Sequence, residues 1–199
     1  MVNLASTKTF EIVEKILEAK KFTQYRFSKD LKGISFGLIN KVTNWLVSKQ
    51  FIARNEKEYV LKDPAGIVSA IAIYRAMEPI KLLEIKTSLS KTELVKLVGN
   101  QGIFCMDTAL DQYTNYYKSD RVCAYVSKNR ANETKKELQF KPGNKSVLCL
   151  YNELPKVKPK IINKKNFTGK VRTVIDMVCD GKAFATEPLF KELWGQKLG

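Results

Sequence analysis

Three features of the sequence predict an α+β fold in two parts. The first 62 residues read as helix, helix, glycine-containing turn, helix, and two β-prone segments around a polar turn. Asp63-Pro64 and Glu78-Pro79 then punctuate the chain, and the remainder alternates β-rich runs with amphipathic stretches. Such a mixture argues for a small α/β or α+β domain after the first one. With 199 residues and 44% hydrophobic content, there is enough chain and enough apolar surface for one large domain or two small ones.

"KTFEIVEKILEAKK" (8–21) places Phe10, Val13, Ile16 and Leu17 at helical spacing, with Glu11, Glu14, Lys15 and Glu18 on the other side. A second helix is expected from Thr23 to about Leu31, closed by Gly33, because glycine takes the left-handed conformation without a steric penalty. Ser35 stands where an N-cap belongs, opening a third helix to about Ser48. "FIAR" and "YVLKD" follow as two strands around "NEKE". This is the order of a winged helix-turn-helix. Asp63 and Pro64 then start a linking helix through about Met77, so the first domain is expected over residues 1–77.

A mixed α/β domain, partner-binding or regulatory, is expected over residues 80–199. "IKLLEIKTSL" (80–89) reads as a strand, and Ser90 with Glu93 forms a capping box opening a helix to Val98. Residues 104–117 carry a second helical pattern. "RVCAYVS" and "SVLCLY" are apolar enough for interior strands, and "KPKII" is a weaker one. "RTVIDMVCDG" and "EPLFKELWGQ" close the chain as helices.

With successive residues 100° apart, Leu38, Ile39, Val42, Trp45 and Leu46 of the third helix share one arc, expected to pack inward. Gly37, Asn40, Lys41, Asn44 and Ser48 share the opposite arc, with Phe36 and Thr43 near a border. No acid occurs from Ile34 to Arg54, so no carboxylate on this helix would repel a phosphate backbone. The residue types suit a DNA groove. Asn bonds an adenine edge, Lys donates to guanine or phosphate, and a Phe ring or Thr methyl meets the thymine methyl. Ser35, Phe36, Gly37, Asn40, Lys41 and Asn44 are therefore candidate DNA contacts. Gln24, Tyr25, Arg26 and Lys29 of the second helix are candidates for phosphate positioning. Arg54 and Lys57 are candidates on the hairpin, where Glu56 and Glu58 dilute the positive charge.

Lys and Arg number 35 against 20 Asp and Glu, a net charge of +15, which points first to nucleic acid as partner. Residues 1–66 hold a net +5 and residues 67–199 a net +10. The densest part is "KVKPKIINKKNFTGKVR" (156–172), with seven basic residues and no acid; it is either a solvated loop or an extension of the footprint along a duplex.

Histidine is absent, which removes the commonest general base and any mixed Cys/His zinc site. No Gly-rich phosphate loop occurs. Asp107 and Asp111, and likewise Asp176 and Asp180, share a helix face at i, i+4, and are expected as surface acids, solvated or paired with lysine. No enzyme activity, no metal and no cofactor is expected. Cys105, Cys123 and Cys149 sit in apolar runs, as buried free thiols do. No signal segment and no apolar window of ~18 residues is present, so a cytoplasmic protein without membrane contact is expected.

"YVLKDPAGIVSAIAIYR", "CMDTALDQYTNYYKSDRVCAYVS" and "VRTVIDMVCDGKAFATEPLFKELWG" occur in an order that resembles the AbiEi-type antitoxins of type IV toxin-antitoxin systems and related archaeal winged-helix transcriptional regulators. The resemblance implies a DNA-binding repressor of its own operon, with a nucleotidyltransferase-like toxin as protein partner, and a role in antiviral defense. The Lys-rich, His-free composition suits a thermophilic archaeon. Two readings stand at this point: sequence-specific binding of double-stranded DNA, and a winged-helix protein-interaction module in a transcription or RNA-processing complex. A homodimer reading two half-sites fits the first, although no heptad run supplies a seam.

Overall fold

The computed structural model describes residues 2–4, 6–153 and 157–198 and is α+β, with two sheets among the described residues. Contacts divide the chain into one unit up to Arg75, which Lys197 and Leu198 join, and a second unit, Ala76–Gln196.

The first unit begins with α1 (Thr7–Ala19), which buries Phe10, Val13, Ile16 and Leu17 as the spacing predicts. It ends two residues earlier than expected: Lys20 turns to φ 59°, and β1 (Lys21–Phe22) leaves the helix to pair with a later strand. Helix α2 (Gln24–Asp30) is capped by Thr23, whose Oγ1 accepts from the Arg26 N–H. Helix α3 (Phe36–Ser48) starts from Ser35, whose Oγ accepts from the Leu38 N–H at 3.3 Å. Strands β2 (Ile52–Asn55) and β3 (Glu58–Leu61) form a hairpin that receives β1 on its other side, giving the order β1-β3-β2. Phe22 stacks between Phe27 and Tyr59, with centroids 4.6 and 5.3 Å away, which locks β1 onto the core.

Helix α4 (Pro64–Tyr74) stops three residues short of the expected Met77, with Arg75 as its C-cap. Its start is tightly built, since Asp63 Oδ1 accepts from the Gly66 N–H at 2.7 Å. A Cβ on Gly66 would collide with the Asp63 carboxylate and stand 2.6 Å from Phe51 Cε1. Gly66→Ala is therefore expected to cost about 1–3 kcal/mol by overpacking this corner, read as a lower urea midpoint of the first unit's transition; an unchanged midpoint would show that the cap yields freely.

The second unit starts with β4 (Lys81–Thr87) and α5 (Lys91–Val98), where the Ser90–Glu93 capping box is formed in both directions. Strand β5 (Ile103–Phe104) then precedes α6 (Met106–Tyr113), so the expected single helix over 104–117 is shorter at both ends. Strand β6 (Arg121–Val126), helix α7 (Lys128–Leu138) and strand β7 (Ser146–Asn152) follow; α7 escapes the sequence reading because only Ala131, Thr134 and Leu138 are buried on it. Strands β8 (Lys160–Ile162) and β9 (Lys165–Phe167) form a hairpin, and α8 (Lys170–Cys179) and α9 (Glu187–Trp194) close the unit.

The six strands lie in the order β4-β7-β6-β5-β9-β8, with β6 and β7 parallel and interior. Both faces of these two strands are buried. Val122, Ala124, Val126, Leu148 and Leu150 join Leu94, Val98, Ala131 and Leu138 in an apolar cluster. The alternate residues Cys123, Tyr125, Cys149 and Tyr151 point to the other side, in register as Cys123 opposite Cys149 and Tyr125 opposite Tyr151.

That second side is polar. Asp176 accepts from Arg172 Nε at 2.9 and 3.1 Å and from the Tyr125 hydroxyl at 2.7 Å, and all three residues are buried. Asp107, also buried, accepts from Lys182 Nζ at 3.0 and 3.1 Å and lies 3.6 Å from Arg121, which in turn donates to Asp180 at 2.9 Å. The expectation of four surface acids is thus corrected for Asp107 and Asp176: each is buried against a cation, Lys182 for the first and Arg172 for the second. Asp111 is bonded to Lys91, as expected of such an acid.

Candidate nucleic-acid interface

The sequence of α3 turns one face inward and the other outward, but the buried arc is rotated from the expected one. Ile39, Val42, Thr43 and Leu46 are the buried residues, while Leu38 and Trp45 are not among them. Thr43 is fully buried and its hydroxyl donates to the Ile39 carbonyl at 2.8 Å, so its methyl is not available to a ligand. Trp45 instead meets Phe51 edge-on at 6.1 Å. Phe51, at the foot of β2, draws the tryptophan to the margin, and the core closes around the smaller Thr43.

The outward face carries Phe36, Gly37, Asn40, Lys41 and Asn44, all exposed, with the Ser35 cap exposed at its start. Phe36 is 53% exposed. A Cβ on Gly37 would meet nothing within 4 Å, so internal packing does not require glycine there.

The most informative contact joins two helices. Asn40 Oδ1 accepts from Gln24 Nε2 at 3.1 Å and from Asn44 Nδ2 at 3.2 Å. Both lone pairs of that oxygen are thereby used. Asn40 acts as the hinge of an amide relay, and Gln24 and Asn44 each keep a carbonyl oxygen and a second N–H beyond these bonds. Gln24, expected from sequence as a phosphate contact, is brought to the outward face of α3 and is half-covered there. The relay was not legible in sequence, since it depends on how the start of α2 crosses α3.

Tyr25, 67% exposed, stacks under the Lys29 ammonium at 4.3 Å from the ring centroid. Arg26 is exposed beside them. On the hairpin, Arg54 Nε donates to the Glu56 carbonyl at 3.4 Å, and Lys57 is exposed at the turn. Glu58 is bonded to Lys21 at 2.6 Å, which leaves Glu56 as the acid at the tip without a salt bridge among the described residues. Among the described residues, no hydrogen bond or ring contact ties Lys41, Phe36 or the hairpin to the amide relay. What the arrangement offers is a neutral-to-basic surface rich in paired donors and acceptors, with two exposed aromatic rings.

Burial and neighbouring charge perturb the thiols of the second unit. The neighbouring Cys123 side chain, acting against burial and helped by the Arg121 guanidinium, brings the Cys149 thiol down to about 7. Burial pushes the Cys123 and Cys105 thiols up. Among the described residues no cluster of three or more Cys, Asp or Glu side chains is placed to hold a metal ion, and no helix is long and apolar enough to cross a membrane. The sequence sign of the buried Asp107 and Asp176 was their i, i+4 spacing from Asp111 and Asp180, which does not reveal burial. No family model, curated protein or solved structure matches the chain.

Proposed function

We propose that this protein is a sequence-specific double-stranded-DNA-binding transcriptional regulator, with α1 to β3 acting as a winged helix-turn-helix and α3 as the reading helix. The observation that carries the reading is the outward face of α3: free of acid, polar, and organised by the Gln24–Asn40–Asn44 relay. Amide groups held by one another lose less freedom on meeting a base edge, and each bidentate amide–adenine contact discriminates by about 1–3 kcal/mol. Tyr25, Arg26, Lys29, Arg54 and Lys57 supply phosphate contacts around it in this reading. In finer form, the protein is an autoregulating antitoxin whose Ala76–Gln196 unit binds a nucleotidyltransferase-like toxin. The support for that part is the order of sequence motifs, and a toxin-like reading frame beside the gene would strengthen it.

The test begins with selection of bound genomic fragments at moderate salt. Asn40→Ala with Asn44→Ala is expected to weaken binding to the selected fragment by about tenfold or more, while affinity for random duplex stays nearly level. An equal loss on both would remove base reading from α3. Tight protein association without any salt-dependent DNA affinity would favour a protein-docking module instead.

A further inference from the structure

The basic run of residues 156–172 has a definite form. Lys156 lies outside the described residues; the rest contains the β8–β9 hairpin, paired as Lys160 opposite Phe167, Ile161 opposite Asn166 and Ile162 opposite Lys165. The two residues between the strands, Asn163 and Lys164, have φ of 49° and 62°. A two-residue turn of this kind demands left-handed conformations, and Asn-Gly is the favoured occupant. Asn163 conforms. Lys164 does not, and it holds a conformation that side chains with a Cβ rarely adopt.

We propose that this hairpin is a second nucleic-acid contact, in which Lys158, Lys160, Lys164 and Lys165 bind the phosphodiester backbone of duplex DNA. Lys158, Lys160 and Lys164 are exposed and Lys165 is partly so. Among the described residues none of these four ammonium groups is in a salt bridge, whereas Lys170, just beyond the hairpin, is bonded to Glu192. The acid flanking the hairpin, Glu153, is engaged with the Val157 backbone N–H at 2.7 Å. The base of the hairpin is fixed: Phe167 packs on Phe104 at 5.3 Å, and Asn166 donates to the Asn100 carbonyl. A rigid base, a charged tip and four uncompensated cations suit a phosphate backbone, where a bound cation releases condensed counterions.

Lysines along an exposed edge strand also discourage edge-to-edge pairing between copies. That accounts for Lys160 on β8, the outermost strand of the sheet. It does not account for Lys164, which sits in the turn rather than on the ladder and occupies a position where glycine would be the easier residue.

The proposal rests on the duplex-binding reading above, and its test separates the two. Binding of the whole 199-residue chain to a labelled random-sequence duplex and to the selected genomic fragment is measured across salt for wild type, for K158Q/K160Q/K164Q/K165Q and for N40A/N44A. The quadruple variant is expected to make the slope of log K against log salt shallower by about 0.9 for each phosphate no longer neutralised, roughly 3–4 in all, with an unchanged circular dichroism spectrum. Lys164→Gly is the second probe: it relieves the turn, so it is expected to leave the fold at least as stable while lowering the slope by about 0.9. Wild-type slopes in both hairpin variants would overturn the hairpin contact and leave α3 standing. A reduced slope in the hairpin variants, together with unchanged fragment preference in N40A/N44A, would keep the hairpin and overturn α3. No duplex binding by wild type would end both. A poly-glutamate affinity that exceeds the duplex affinity at matched charge and falls in the quadruple variant would assign the hairpin to an acidic protein and overturn it as a DNA contact.

Discussion

Arg172→Leu is expected to destabilise the second unit by about 3–5 kcal/mol, the usual consequence of taking one partner from a buried ion pair. Arg172 is 1% exposed, and its guanidinium is held by Asp176 and lies over the Tyr125 ring at 5.5 Å. The leucine would leave the buried Asp176 carboxylate without its counter-charge. The physics also predicts rescue. Removing both charges, as in Arg172→Leu with Asp176→Leu, avoids the uncompensated ion and is expected to recover part of the loss, the Tyr125 hydroxyl giving up its Asp176 acceptor. The two tryptophans make this measurable by unit, since Trp45 lies in the first and Trp194 in the second. In a Trp45→Phe background, urea unfolding followed by Trp194 fluorescence reports Ala76–Gln196. A double variant no more stable than the single one would mean that Arg172 acts through packing rather than charge.

Asp107→Asn is expected to cost a similar amount, about 3 kcal/mol, while changing the shape of the molecule hardly at all. It keeps the volume but removes the charge that Lys182 and Arg121 share. A second signature follows from Lys182. Burial works to lower its pKa, but the Asp107 charge and hydrogen bond outweigh it, and the value is raised above the ordinary 10.5. A cation whose folded value is raised stabilises fully below 10.5 and loses that contribution as pH climbs through the folded value. Wild type should therefore lose stability on the alkaline side of that point, and Asp107→Asn should flatten this loss. Parallel alkaline limbs in the two proteins would show that another group governs the region.

Short-range signals made the helices of the first unit legible. Ser35, Thr23 and Asp63 each cap the helix that follows, and these contacts span three residues. The Ser90–Glu93 box is equally local. What stayed hidden depends on distant partners. Strands β1, β5 and β9 are two or three residues long and exist because other strands pair with them. Asp107 is buried because Lys182 arrives from 75 residues away. On α3, the outward residues could be named, yet the swap of Thr43 for Trp45 in the core and the bond from Gln24 to Asn40 required the neighbouring elements.

The pairing of β4 with β7 bears on the order in which the molecule is made. Thr87 meets Ser146 and Lys81 meets Tyr151, so partners are 59 to 70 residues apart in the chain. In the first unit, β2 and β3 are neighbours, and the longest strand pairing, Lys21 with Val60, spans 39. Nearby partners close faster, and chains emerge from the ribosome N-terminus first. Residues up to Arg75 can thus fold while β4 still lacks its companion. Lys81, Glu84 and Lys86 punctuate the nascent strand with charge, guarding it against other chains until β7 is synthesised.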